Sequence, residues 1–391
     1  MDPKLNPFAP GAGTQPPELA GRSGIVADAA VAVARAKRGL GKSMLLLGLR
    51  GVGKTVLLNK VAEMAQAEGC VPIVLEAPED QGLAAMLVPP LRSALFSMSA
   101  SEKAKDYAKR GLGVLRSFAA VFKAKVGDVE FGIKPDIGTA DSGNLEHDLP
   151  ALLETVAVAT KADGRALVLF VDEVQYLSSE DLSALIVATH KLGQKALPFL
   201  VIGAGLPQLA GLAGEAKSYA ERLFDYPAVG PLLPAAAAEA IVEPLKRESM
   251  AIDAKALDHI IKQTSGYPYF LQEWGYQAWN AAPASPITLS DAKLAAKAAL
   301  ERLDGGFFRV RVDRLTPREK DYMQAMASLG PGPHRSGDIA AVLKKKVSAV
   351  GPLRDGLIKK GMIYSPQHGE TAFTVPMFDD FLKRTSSVAK K

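Results

Sequence analysis

The 391-residue chain has a single cysteine, Cys70. An internal disulfide is therefore excluded, and the composition suits a reducing compartment. Cys70 stands directly before the apolar run VPIVL (71–75), so buried packing is expected of it rather than a nucleophilic role. No apolar run reaches the roughly 20 residues that a membrane-spanning helix needs, and no membrane partner is expected. The opening stretch, MDPKLNPFAPGAGTQPPELAGR, lacks the apolar core of a secretory leader. A soluble, cytoplasmic protein is the expectation. No segment repeats at a fixed period, which argues against a solenoid or propeller.

What the chain does contain is enough apolar material, 48% of its residues, for two or three cored domains. Its net charge of +5 is unevenly spread. Residues 315–391 hold 13 Lys/Arg against 7 Asp/Glu, whereas residues 1–314 hold 34 against 35. The excess therefore lies in the C-terminal segment. It fits either a polyanionic partner or a solvated basic surface.

Residues 1–17, with five prolines and two glycines, read as an extended arm. Short apolar runs then alternate with helical periodicity. Strands are expected at SMLLLGL (43–49), VPIVLEA (71–77), RALVLFVDE (165–173) and ALPFLVIGAG (196–205). Helices are expected between them, one of them capped by Ser101. The segment 126–138 breaks the rhythm and reads as a β-hairpin or an extended insertion. Such βαβα order implies a mostly parallel sheet covered on both faces. After Pro234 the strands stop, and four helices are expected over 235–314, two of them capped by Asp253 and Ser290.

The segment GLRGVGKT (48–55) satisfies G-x-x-x-x-G-K-[ST] at every fixed position. It follows an apolar strand and opens a helix, the context in which the pattern binds phosphate. Gly48, Gly51 and Gly53 let the backbone curl, so that N–H groups from Gly51 through Val52 to Thr55 face phosphate oxygens. The helix end that carries Thr55 and Val56 adds its positive dipole. Lys54 should reach the β- and γ-phosphates and Thr55 should ligate Mg²⁺. The expected ligands are ATP or ADP with Mg²⁺. Downstream, LVLFV (167–171) leads into Asp172 and Glu173. Asp172 is placed to hold the Mg²⁺ and Glu173 to orient or deprotonate the attacking water.

This combination, with a helical lid and a basic C-terminal domain, resembles an AAA+ ATPase. It is most similar to the branch of origin-recognition initiators and the bacterial ATPases akin to them. The resemblance spans the chain after the arm. It implies that PPELAGR (16–22) lines an adenine pocket. It also implies that Arg222, in SYAERLF (218–224), acts on a neighbouring subunit's γ-phosphate, so that subunits self-associate; a surface salt bridge is the alternative. Two positions depart from that pattern. The strand at 196–205 usually ends in a polar sensor, but residues 203–207 offer none and Gln208 is the nearest. A sensor Arg in the lid is replaced at about Tyr269. GYP (266–268) resembles the STAND class of switch ATPases, in which the equivalent of Pro268 packs near nucleotide; a helix stop and restart is the alternative. Both departures bear on the speed of hydrolysis and neither on nucleotide binding.

Residues 315–391 read as helix, helix, helix, hairpin. Thr316 as N-cap, Pro317 and Glu319 form a capping-box start. The order is that of a winged helix, similar to the C-terminal domain of the initiator-like ATPases. In those proteins the third helix enters the major groove and the wing meets the backbone. The candidate contacts to double-stranded DNA are Lys344, Lys345, Lys346, Ser348, Arg354, Lys359, Lys360 and, on the wing, His368. Pro352 should kink the third helix or mark its start. A protein partner is the alternative use of such a domain. The expected architecture is thus an α/β P-loop NTPase, mostly parallel with helices on both faces, over 18–234, then an α-helical lid over 235–314 and a C-terminal winged helix over 315–391.

Overall fold

In the computed structural model the described residues are 1–388, apart from 12, 79–80, 99 and 124–132. Most of the 126–138 insertion therefore lies outside them. The expected strands form where unbroken apolar runs allow burial on both faces. They are β1 (Ser43–Leu47), β2 (Val71–Glu76), β3 (Leu167–Asp172) and β4 (Phe199–Gly205). A fifth, β5 (Phe224–Asp225), completes a parallel sheet of order β2-β3-β4-β1-β5. β3 and β4 are buried along their whole length. Their central place explains why neither shows the polar alternation of a half-exposed strand.

Helix α1 (Ser23–Ala36) precedes β1, and α2 (Lys54–Ala67) joins β1 to β2. Among the described residues, the connection to β3 holds α3 (Leu83–Phe96), α4 (Glu102–Val121) and α5 (Leu145–Ala162). Ser101 caps α4 as expected, its hydroxyl accepting from Ala104 N–H at 3.1 Å. α6 (Ser179–Gln194) leads to β4, and α7 (Leu209–Ala216) and α8 (Ala220–Leu223) lead to β5. Leu45, Ile73, Leu169, Val171 and Val201 share one buried apolar cluster with residues of α3, α4, α5 and α6. Cys70 is buried at 4% exposure, and that burial pushes its thiol pKa up.

Residues Ser23–Gly48 and Lys54–Ala228 make up this unit. A second unit gathers Met1–Arg22, Leu49–Gly53 and Val229–Lys391. Its lid helices are α9 (Pro234–Arg247), α10 (Ala254–Thr264), α11 (Pro268–Ala281) and α12 (Leu289–Arg302). The chain continues through a π-helical turn (Leu303–Phe308) and α13 (Arg309–Asp313). Ser290 is not the cap of α12. Thr288 takes that role, because Asp291 three residues on returns the hydrogen bond to the Thr288 backbone. Asp253 does stand at the N-cap of α10, but its side chain makes no capping bond.

The arm lies along α11. Trp279 donates to the Asp2 carbonyl at 2.7 Å and Asn6 to the Tyr276 carbonyl at 3.0 Å. Phe8 is 3% exposed and packs over Gly275, where a Cβ would meet its ring at 2.6 Å. Beyond the lid come α14 (Pro317–Ser328), β6 (His334–Arg335), α15 (Ser336–Val342), α16 (Val347–Lys359), the hairpin β7 (Ile363–Tyr364) and β8 (Glu370–Phe373), and α17 (Phe378–Val388). The Thr316–Glu319 capping box forms as expected. α16 begins at Val347, so Pro352 lies inside it rather than at its start. The strand β6, which pairs with β8, and the helix α17 were not expected from sequence. Among the described residues no helix is long and apolar enough to cross a membrane.

Candidate nucleotide site

The chemistry-bearing residues of the sheet unit sit at the C-terminal ends of its strands, where parallel α/β sheets bind ligands. Gly48 follows β1 and donates its N–H to the Gly205 carbonyl at 3.0 Å, tying the loop start to β4. Lys54 opens α2 and is only 6% exposed. Thr55 follows and donates its hydroxyl to Asp172 Oδ2 at 2.5 Å. Asp172 ends β3, and its Oδ1 accepts from Glu173 N–H at 2.8 Å. Burial pushes the Asp172 carboxyl pKa up, opposed by the Thr55 and Glu173 hydrogen bonds and by the charge of Lys54. Val56 lies half-buried in the first turn of α2.

Glu173 takes the left-handed conformation, φ 52 and ψ 39, which few non-glycine residues adopt. Its carboxylate accepts from the Gln175 amide, and Gln175 Oε1 accepts from Leu206 N–H at 3.0 Å. Gln175 was not singled out from sequence. Its one available signal is its place two residues after Asp172–Glu173, on the 3-10 turn Val174–Tyr176. Arg222 is exposed on the four-residue helix α8.

Residues 49–53 are held by the second unit's own groups. Gly51 and Gly53 have φ of 83° and 92°, so the expected curl of the loop requires glycine at both. Tyr267 donates its hydroxyl to the Arg50 carbonyl, and Tyr269 N–H donates to the Gly51 carbonyl at 3.2 Å. A Cβ on Gly51 would stand 3.0 Å from the Tyr267 ring. Arg50 N–H donates to the Thr374 carbonyl at 3.3 Å. Arg22, buried at 8% exposure, donates to the carbonyls of Val52 (3.1 Å) and Gly230. Desolvation lowers its pKa. Pro268 is the first residue of α11, after a break at Ser265 and Gly266. Gly266 is needed there because a Cβ would lie 2.2 Å from the Leu232 carbonyl. The helix stop and restart is thus present, and the residues flanking Pro268 touch the loop.

The basic candidates of the C-terminal segment divide into two sets. Lys344, Lys345, Lys346, Ser348 and Lys359 are exposed at the α15–α16 turn and on α16, and His368 is exposed at the hairpin turn. Arg354 instead turns inward, donating to Thr371 Oγ1 at 3.2 Å and Ser365 Oγ at 2.8 Å. Lys360 donates to Glu319 Oε2 at 2.7 Å. Burial alone would raise the Glu319 pKa, but Lys360 and the Thr316 hydrogen bonds outweigh it and hold the carboxyl below its usual range.

The five-stranded parallel sheet with its flanking helices defines a P-loop NTPase fold. Residues 18–202 match the AAA ATPase domain family. Residues 305–382 match a domain of unknown function (DUF8462). No curated protein matches the chain. Among solved structures, a Walker-type ATPase of Pyrococcus abyssi is similar at 18% identity and a TM-score of 0.60, over 96% of this chain and 99% of its own. The Thermotoga maritima RuvB Holliday junction branch migration motor is similar at 16% identity and TM-score 0.46, over 94% and 98%. The Aeropyrum pernix ORC1 protein in complex with DNA gives 15% and 0.48, over 97% and 95%. The family match and the fold support an AAA+ P-loop ATPase.

Proposed function

We propose that the chain is an ATP-hydrolysing AAA+ protein that binds double-stranded DNA through a C-terminal winged helix. The observation that carries the ATPase reading is the meeting of Thr55, Asp172 and Glu173 at the ends of α2 and β3. A hydroxyl and a buried carboxylate at hydrogen-bond distance form a hard-oxygen pair that fits Mg²⁺. Thr55 and Asp172 would hold that ion, which neutralises charge on the β- and γ-phosphates when bound. Lys54 adds a second positive charge there. Glu173 takes a proton from water as the water oxygen bonds the γ-phosphorus. The bond from phosphorus to the β–γ bridging oxygen breaks, and its electron pair leaves with ADP. Arg222 would complete a neighbouring subunit's site; turnover that does not depend on protein concentration would remove that role.

The DNA reading is supported by the exposed lysines at the α15–α16 turn, with α16 as the groove helix and β7–β8 as the wing. A second reading has its own support. Tyr267, Tyr269 and Thr374 all bond the 50–51 backbone, an arrangement suited to a STAND-like switch that holds ATP or ADP and acts on a protein partner. Measuring turnover and retained nucleotide, with and without duplex, separates the two. Turnover stimulated by duplex fits the first reading. Retained ADP without turnover, and no duplex binding, overturns it in favour of the switch.

A further inference from the structure

Strand β4 ends at Gly205 and runs on through Leu206 and Pro207, so its own residues place no polar side chain at that end. The structure nevertheless puts an amide there. The left-handed turn at Glu173 and the 3-10 turn after it swing Gln175 across to β4. The Gln175 amide N–H donates to Glu173 Oε2, while its Oε1 accepts from Leu206 N–H at 3.0 Å. Leu206 is buried, so the amide it offers has little access to water as a substitute partner.

Gly205 makes room for this bridge, and Gly203 makes room for the packing of Leu45 and Val174 beside it. A Cβ on Gly205 would lie 2.7 Å from Gln175 Oε1. A Cβ on Gly203 would lie 3.0 Å from Val174 Cγ2 and 2.6 Å from Leu45 Cδ2. A side chain at residue 205 and the amide of Gln175 would therefore compete for one space. The bare end of β4 and the glutamine two residues after Glu173 are halves of a single device.

We propose that Gln175 is a positioning residue for ATP hydrolysis, tethering the Glu173 carboxylate to the end of β4 in place of a side chain that β4 lacks. The inference rests on the hydrolytic reading above. One carboxylate oxygen is held by the amide, which restricts the carboxylate's rotation and leaves the other oxygen to face water. A preset base spends less of the barrier on orientation.

Two variants separate the two ends of the bridge. Gln175→Glu keeps an acceptor for Leu206 N–H but sets a second carboxylate against Glu173. Gln175→Met keeps the volume and removes both bonds. Both should lower kcat by about tenfold to a hundredfold, the usual worth of a hydrogen bond to a charged group, with the KM and Kd for ATP little changed. Hydrogen exchange of the Leu206 amide in nucleotide-free protein should quicken in Gln175→Met and stay slow in Gln175→Glu. Glu173→Gln is run beside them. If Glu173→Gln slows turnover while Gln175→Glu and Gln175→Met match the parent, the tether is wrong and the hydrolytic reading stands. Raised kcat in either variant overturns the inference too, since the amide would then be holding the carboxylate back. Equal losses of kcat, ATP affinity and thermal stability would assign Gln175 a structural role and also overturn it. A parent with no turnover removes the hydrolytic reading and the inference together.

Discussion

Replacing Lys344, Lys345 and Lys346 with alanine tests the DNA reading where the structure leaves it most exposed. Of the six Lys and Arg candidates, Arg354 bonds the hairpin and Lys360 bonds Glu319. The free supply is the lysine triplet at the α15–α16 turn and Lys359. Each phosphate contact contributes about 0.9 to the slope of log affinity against log salt. Three lost contacts should flatten that slope by up to about 2.7. Between 50 and 200 mM salt, the parent should then lose about fortyfold more affinity than the triple mutant. Sequence preference should change little, because phosphates carry no sequence information. The assay is a salt titration of duplex affinity by fluorescence anisotropy. Arg354→Ala serves as the contrast, since its internal bonds predict a lower melting temperature rather than a flatter slope. No measurable duplex binding by the parent at low salt, or an unchanged slope in the triple mutant, would refute the reasoning and favour the switch.

Other outcomes follow from the site. Lys54→Ala should abolish tight ATP binding, read by calorimetry, while circular dichroism shows the fold retained. Glu173→Gln should keep ATP bound and slow phosphate release by at least about a hundredfold, the typical worth of a positioned base. Glu319→Ala should lower stability at neutral pH by about 1 kcal/mol, the usual worth of a cap. Glu319 has a depressed pKa in the folded state, so its contribution is present above the ordinary glutamate pKa of about 4.3. It is lost as pH falls through the lower folded value, and denaturant melts of parent and variant should converge in acid.

The parallel sheet was legible because β1 to β4 are apolar runs with no competing period, and the phosphate loop because its glycines and Lys54 stand at fixed spacing. β5 was not, because two residues paired to Ser43 and Met44 leave no pattern in FDYPA. The cap of α12 was misplaced because Ser290 and Thr288 are equally good hydroxyls until Asp291 is counted as the reciprocal partner. The insertion expected at 126–138 lies mostly outside the described residues. Side-chain destinations were the least legible. Arg354 and Lys359 look alike as cations on one helix, yet one lies against Thr371 and the other faces water. Gln175 carried little signal beyond its place after Glu173, because its partner, Leu206 N–H, is a backbone group just past the end of β4.

The loop residues 50–52 are bonded from three directions within their own unit. The lid supplies Tyr267 and Tyr269, the segment before α1 supplies Arg22, and the chain after β8 supplies Thr374. A hydrogen bond of this kind is worth about 0.5–1.5 kcal/mol net. Several together set a threshold comparable to the 1–3 kcal/mol typical of coupling between sites. A ligand that needs these carbonyls and amides turned elsewhere must work against that threshold. By reciprocity, a partner that displaces the Thr374 segment must change affinity for that ligand by the same factor. If nucleotide turns these groups and a C-terminal partner displaces Thr374, the two affinities must depend on each other. Tyr267→Phe removes one bond without removing the ring that rests on Gly51. It should raise nucleotide affinity if the clamp opposes binding and lower it if the clamp shapes the loop for phosphate. An unchanged affinity would show that the three-way bonding of the loop carries no coupling.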